Sequence, residues 1–163
     1  MTQAAQPLPM QDFKVYMNLQ HGLWMKYPAT WEVAEDPGTS GFMAYFLSPP
    51  ESPTDTFREN VNVVVEPLPG QATLEQVVAS SRELLLQQLG VTFVEYAAKD
   101  QVGGLPAYRS IYTGALQGRA LKWLQYSTIK GDRAYTLTFT AEPAKFDAYR
   151  GLVTQMVESL EIS

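Results

Sequence analysis

With 163 residues, 45% of them hydrophobic, the chain can bury one substantial core, and with no cysteine it can use neither disulfides nor thiolate metal sites. Its 12 basic and 17 acidic residues leave a net charge of -5, which gives no electrostatic grip on a phosphate backbone or an anionic membrane. A disordered chain and a disulfide scaffold are excluded on composition, and a nucleic-acid partner is not expected.

Residues 1–11 are polar and proline-containing and read as a flexible N-terminal arm, followed by a single domain over 12–163. The arm has no basic start and no apolar run, so it reads as neither a signal peptide nor a membrane span. The chain as given is expected to be soluble, and exported or membrane-peripheral only if a signal once preceded it.

Residues 14–19 predict a first strand, and His21-Gly22 a turn into a second over 23–27 that Pro28 ends. Trp31-Glu32-Val33 resumes an extended path up to a turn at Asp36-Pro37-Gly38. Residues 41–47 have the length and composition of a strand. Residues 48–59, with three prolines, read as an exposed loop. In 60–66, Val61, Val63 and Val65 share one face of a strand.

Thr73 followed by Gln76 forms a capping-box pattern. Leu74, Val77, Val78, Leu84, Leu85 and Leu89 then recur at helical spacing up to Gly90, which predicts a helix over about 73–89 with one apolar face. Strands are expected over 92–99, 106–113, 119–130 and 133–140, with turns at Gly103-Gly104, 114–118 and Gly131-Asp132. Tyr135, Leu137 and Phe139 alternate with Thr136, Thr138 and Thr140, as in an antiparallel sheet with one covered face and one partly wet face. Pro143 suits a first helical turn, and Phe146, Tyr149, Leu152, Val153, Met156, Val157 and Leu160 stripe a terminal helix.

Residues that carry chemistry are sparse. His21 is the sole histidine, and a solvated turn residue is the reading preferred over a catalytic one. Glu51, Asp55 and Glu59 lie four apart, a spacing with which carboxylates gather a hard cation, but it does not match a calcium loop and Pro53 interrupts it; no metal is expected. The glycines lack the context of a phosphate cradle, so no nucleotide cofactor is expected. Arg119-Ala120-Leu121-Lys122-Trp123 reads as a strand with Leu121 and Trp123 in a core and Lys122 in solvent.

Five segments carry a resemblance. They are Gly22-Leu23-Trp24-Met25-Lys26-Tyr27-Pro28 with Trp31, then Glu59-Asn60-Val61-Asn62-Val63, then Gly104-Leu105-Pro106-Ala107-Tyr108, then residues 135–140, and last Ser159-Leu160-Glu161-Ile162. In this order, over about 14–162, they resemble the PsbP-like superfamily, which includes the photosystem II extrinsic protein and the DcrB-like lipoproteins. The resemblance implies an α+β fold, an α/β/α sandwich with a central antiparallel sheet, in which Tyr27, Pro28 and Trp31 are core and turn residues. It also implies binding or assembly of other proteins.

The function expected is a non-catalytic protein-interaction or assembly domain serving a membrane-associated complex. Its contacts would come from Glu51, Asp55, Phe57, Arg58 and Glu59, with the edge near 36–45. One alternative is an apolar-ligand binder whose cavity, between the sheet and the 73–89 helix, is lined by Met25, Phe42, Tyr45 and Trp123. The other is an enzyme of unknown class using His21 or the acidic loop. Trp31 itself is expected to be buried, with its indole nitrogen on a nearby acceptor.

Overall fold

A computed structural model describes residues 8, 11–38 and 41–163, so most of the expected arm lies outside the described residues. In chain order the elements are β1 (Phe13–Asn18), β2 (Leu23–Pro28), β3 (Glu32–Asp36), β4 (Phe42–Leu47), β5 (Asn60–Pro67) and α1 (Leu74–Leu89). They continue with β6 (Thr92–Val102), β7 (Leu105–Leu116), β8 (Arg119–Lys130), β9 (Arg133–Ala141), α2 (Phe146–Ser159) and β10 (Glu161–Ile162).

Seven strands form one antiparallel sheet in the order β3-β4-β5-β9-β8-β7-β6. A second sheet, β1-β2-β10, was not foreseen; the first two strands leave the central sheet and pair with two residues that follow α2. Two residues carry no periodicity, so β10 has no signal of its own. Glu161 pairs with Trp24 and Ile162 with Leu23.

The meander β6 to β9 is set by its turns. Val102 pairs with Leu105 around Gly103 and Gly104, whose φ values of 59° and 76° are those of a two-residue hairpin turn. The turn expected over 114–118 contracts to Gln117-Gly118, because Gly114 still pairs with Leu121. A Cβ at Gly114 would meet both Trp123 and Val91 at 3.4 Å, so glycine lets the strand pass beneath that indole.

The two faces of the large sheet differ in chemistry. One carries Phe42, Ala44, Phe46, Val61, Val63, Val65, Leu124, Leu137 and Phe139, all buried in one core with Leu23 and Met25 of the small sheet. Helix α2 closes this core with its expected stripe: Phe146, Tyr149, Leu152, Val153, Met156 and Val157 are buried. Each such apolar side chain contributes roughly 1.5–3 kcal/mol. Pro143 falls in the turn before the helix, which begins only at Phe146. Trp31 is buried here, its ring 6.3 Å from that of Tyr149. The acceptor expected for its indole is not there: among the described residues the ring makes no hydrogen bond.

On the opposite face Val91, Tyr112, Leu121 and Trp123 form a smaller cluster, with Tyr112 and Trp123 stacked at 5.2 Å. The rest of that face is largely polar, and α1 packs mainly on β7 and β8, with Arg82 over the Phe93 and Tyr96 rings of β6. Thr73 and Gln76 form the reciprocal capping box at 3.2 and 2.8 Å, and Gly90 ends α1 in the left-handed region. Its apolar stripe is only partly covered: Leu74 and Val78 are buried, whereas Leu84 is exposed.

Candidate functional site

Because α1 covers only one half of its face of the sheet, a groove of about 770 Å³ runs between the helix and strands β5 and β9. Val64 and Pro67 line it from β5, Thr136 and Thr138 from β9, and Val77 and Leu84 from α1. Its floor is polar and internally satisfied. Gln125 accepts from Ser81 Oγ at 3.3 Å and donates to Thr138 Oγ1 at 3.3 Å. The wall formed by Val64, Pro67 and Pro69 continues into a second hollow of about 610 Å³ beside Asp36 and Met43. Apolar walls over a polar floor, with the Glu66 carboxylate in the lining of both hollows, lie within the 300–1,000 Å³ or so usual for ligand sites.

The four residues expected to line a pocket are not brought together. Met25 and Phe42 lie in the main core, Trp123 in the small cluster on the opposite face, and Tyr45 is half-buried on the groove's side of the sheet. Strand alternation explains the split: Phe42 and Tyr45 are three residues apart in β4 and so point to opposite faces. The site was expected between sheet and helix, and the groove lies there, but with a different lining.

The acidic loop is also rearranged relative to expectation. Lys145, which no sequence signal singles out, sits among four carboxylates, with Nζ 3.3 Å from Glu51, 3.8 Å from Asp55, 3.8 Å from Glu59 and 3.6 Å from Glu142. Glu59 is fully buried; its Oε2 accepts from the Glu142 N–H at 3.0 Å, while Oε1 has no hydrogen-bond partner among the described residues. Burial pushes the Glu59 carboxyl above the usual range, against the opposing pull of that N–H and of Lys145. Asp55 accepts from the N–H groups of Glu51 and Phe57, which hold its carboxyl below the usual range. Burial works to lower the Lys145 ammonium, but the bond to Glu51 and the nearby carboxylates hold it above its ordinary value.

The remaining loop residues are anchored as well. Arg58 donates to the Ser48 and Leu47 carbonyls and pairs with Glu32 at 3.3 Å. Phe57 packs on the small cluster beneath the Arg119 guanidinium, 5.4 Å from its ring. Asp55 and Glu59 therefore hold the loop in place rather than project from it, and the exposed part is the tip formed by Glu51, Ser52, Pro53 and Thr54. Among the described residues no three His, Cys, Asp or Glu side chains are placed to share a metal ion.

His21 is not the free turn residue expected. Its ring stacks on Phe42 at 4.4 Å, and Nδ1 lies 3.4 Å from Arg133 Nη1. Burial, then the neighbouring guanidinium, holds its pKa below the usual value. Lys122, expected in solvent, lies over the Phe146 ring at 4.4 Å. Tyr27 packs on Phe46 at 5.4 Å between ring centroids, and Pro28 is buried opposite Phe13.

No family model and no curated protein matches the sequence. Solved structures do match the fold. The cyanobacterial PsbP (CyanoP) of Synechocystis sp. PCC 6803 superposes with a TM-score of 0.70 at 16% identity, over 99% of this chain and 98% of that one. LpqN of Mycobacterium tuberculosis, involved in cell envelope biogenesis, gives 0.66 at 14% identity, over 86% and 83%. PA94 of Pseudomonas aeruginosa, a protein of unknown function and putative regulator, gives 0.60 at 18% identity, over 90% and 94%. The segment order that suggested PsbP-like proteins thus corresponds to a shared architecture, and this chain has the PsbP-like α+β fold.

Proposed function

We propose that this chain is a non-catalytic protein-interaction domain that seats a segment of a partner protein in the groove between α1 and strands β5 and β9. One observation carries the reading: among the described residues, half of one face of a seven-stranded sheet is left without a covering layer, and its apolar wall residues Val64, Val77 and Leu84 flank that opening. A sheet face of this kind needs a second layer to exclude water, and a partner supplies it. The polar floor accommodates backbone amides of an incoming segment. LpqN's involvement in cell envelope biogenesis fits an assembly role at a membrane-associated complex, the finer form of the proposal.

A photo-crosslinking residue at Leu84, inside the groove, and another at Val94, exposed on β6, test it in native extract. One defined protein captured at Leu84 and not at Val94, and lost when Thr138→Lys fills the floor, supports the proposal. Equal capture at both sites sinks it. Release of a stoichiometric small apolar molecule in native mass spectrometry would favour the ligand-binding alternative instead.

A further inference from the structure

The large sheet ends in two guarded edges. β3 carries Glu32, Glu35 and Asp36 within five residues. β6 is broken by two register shifts, has Ala97 at φ 52°, and bears Glu95, Lys99 and Asp100. Charges and bulges of this kind are how sheet edges avoid pairing with other chains. β1 is less guarded: six residues, FKVYMN, a single charge at Lys14, no proline, and a register with β2 that runs without a shift.

The hydrogen-bond phase of β1 is fixed by its neighbours. Ala29 N–H donates to the Asp12 carbonyl at 2.8 Å, and antiparallel alternation makes Lys14, Tyr16 and Asn18 the residues that bond to β2. Lys26, opposite Val15, sends its N–H the other way, to Ser159 Oγ at 2.9 Å. Phe13, Val15 and Met17 therefore direct their N–H and C=O groups outward, and among the described residues no strand meets them. The outer face of this small sheet also carries a group of exposed apolar side chains, with Val15 57%, Met17 49%, Leu19 77% and Trp24 42% exposed.

We infer that β1 is a self-association edge at which two copies of this chain pair antiparallel about a two-fold axis through Val15. In that register Val15 faces Val15 of the second copy, and Phe13 faces Met17, so outward-directed backbone groups meet each other in about six hydrogen bonds. Apolar side chains meet apolar ones on the outer face. Lys14 falls opposite Tyr16 of the second copy, whose hydroxyl donates to Glu35 Oε1 at 2.6 Å, so the one cation of the strand is drawn to a carboxylate and kept from its own equivalent. This charge complementarity selects a second copy over an unrelated strand. The joined edges bury on the order of 1,000 Å², near the lower limit for a specific interface, the size class of weak, reversible association. The inference is independent of the groove, which lies on the far side of the large sheet.

Sedimentation velocity of the full chain up to about 500 µM should show a reversible dimer. Val15→Pro removes an outward N–H that β2 does not use, and should give a folded monomer. Lys14→Glu should weaken the dimer about tenfold, because two attractive pairs become repulsive. Adding Glu35→Lys should restore it. Val15→Cys, in a chain with no other cysteine, should oxidise to a covalent dimer, while Trp24→Cys should not. A monomer across the whole range overturns the inference, as does a folded Val15→Pro variant that still dimerises. Should Val15→Pro fail to fold, the charge swap decides: no restoration by Glu35→Lys overturns it equally.

Discussion

Replacing Lys145 with Met removes the ammonium shared by Glu51, Asp55, Glu59 and Glu142 while keeping the length of the side chain, and leaves the Arg119 guanidinium on Glu142. The cost falls mainly on Glu59, which is fully buried and whose Oε1 faces Lys145 without a hydrogen bond. Stranding a buried carboxylate costs about 3–5 kcal/mol, and partial exposure of Lys145 lowers the expectation to about 2–3 kcal/mol. In a domain of this size that is about 4–12 °C in Tm. The pH dependence follows from Glu59. Its folded pKa is raised, so the ionised form costs stability above the unfolded pKa, and the cost vanishes as pH falls below that value. Without Lys145 this cost grows, so the deficit should be full at about pH 7 and shrink toward about pH 4.5. Asp55 acts in the same sense. Its depressed pKa, owed mainly to the Glu51 and Phe57 N–H groups and in part to Lys145, gives stability present above the unfolded pKa and lost as pH falls through the folded one. Glu59→Gln keeps an acceptor for the Glu142 N–H and removes the charge, so the double variant should recover most of the loss. Urea melts of the four proteins at both pH values measure this. A deficit under about 0.5 kcal/mol at pH 7, or one that Glu59→Gln leaves unchanged, refutes the reasoning.

Three further outcomes are expected. Trp31→Ala should cost about 3–5 kcal/mol in denaturant melts, and Trp31→Phe less, since among the described residues the indole nitrogen forms no hydrogen bond that phenylalanine would forfeit. Gly22→Ala should cost about 1–3 kcal/mol and speed amide exchange at Ser163, because φ is +65° and the new Cβ would lie 2.5 Å from Ser163 Oγ. Thr73→Ala should cost about 1 kcal/mol through the capping box, visible as a lowered urea midpoint with an unchanged slope.

Elements with their own period or punctuation were readable in the sequence. The capping box, the Gly90 terminus, the valines of β5 and the α2 stripe all act within a few residues, and all appear where expected. What escaped depends on partners far along the chain. Glu59 looked like part of a solvated acidic loop because nothing nearby announces Lys145, 86 positions later, or the Glu142 N–H. The pocket residues failed for a different reason. Met25, Phe42, Tyr45 and Trp123 share an apolar character but come from β2, β4 and β8, which are not adjacent, and strand parity sends Phe42 to one face and Tyr45 to the other. The groove did leave a trace in the threonines of β9, whose alternation marks a face that no helix fully dries.

The large sheet is two local runs of strands, β3-β4-β5 and β6-β7-β8-β9, joined by one ladder in which Asn60 pairs with Thr140 and Pro67 with Arg133. During synthesis β5 therefore waits for β9 with one edge bare, presenting Val61, Val63 and Val65 before their cover exists. The meander from β6 to β9 needs only adjacent turns and can form quickly, while docking of the earlier strands carries the entropy of closing a long loop. The vulnerable species on the folding route is thus a half-built sheet with β5 as its sticky border, and faster release of the β9 segment, rather than a more stable native state, is what would shorten its lifetime.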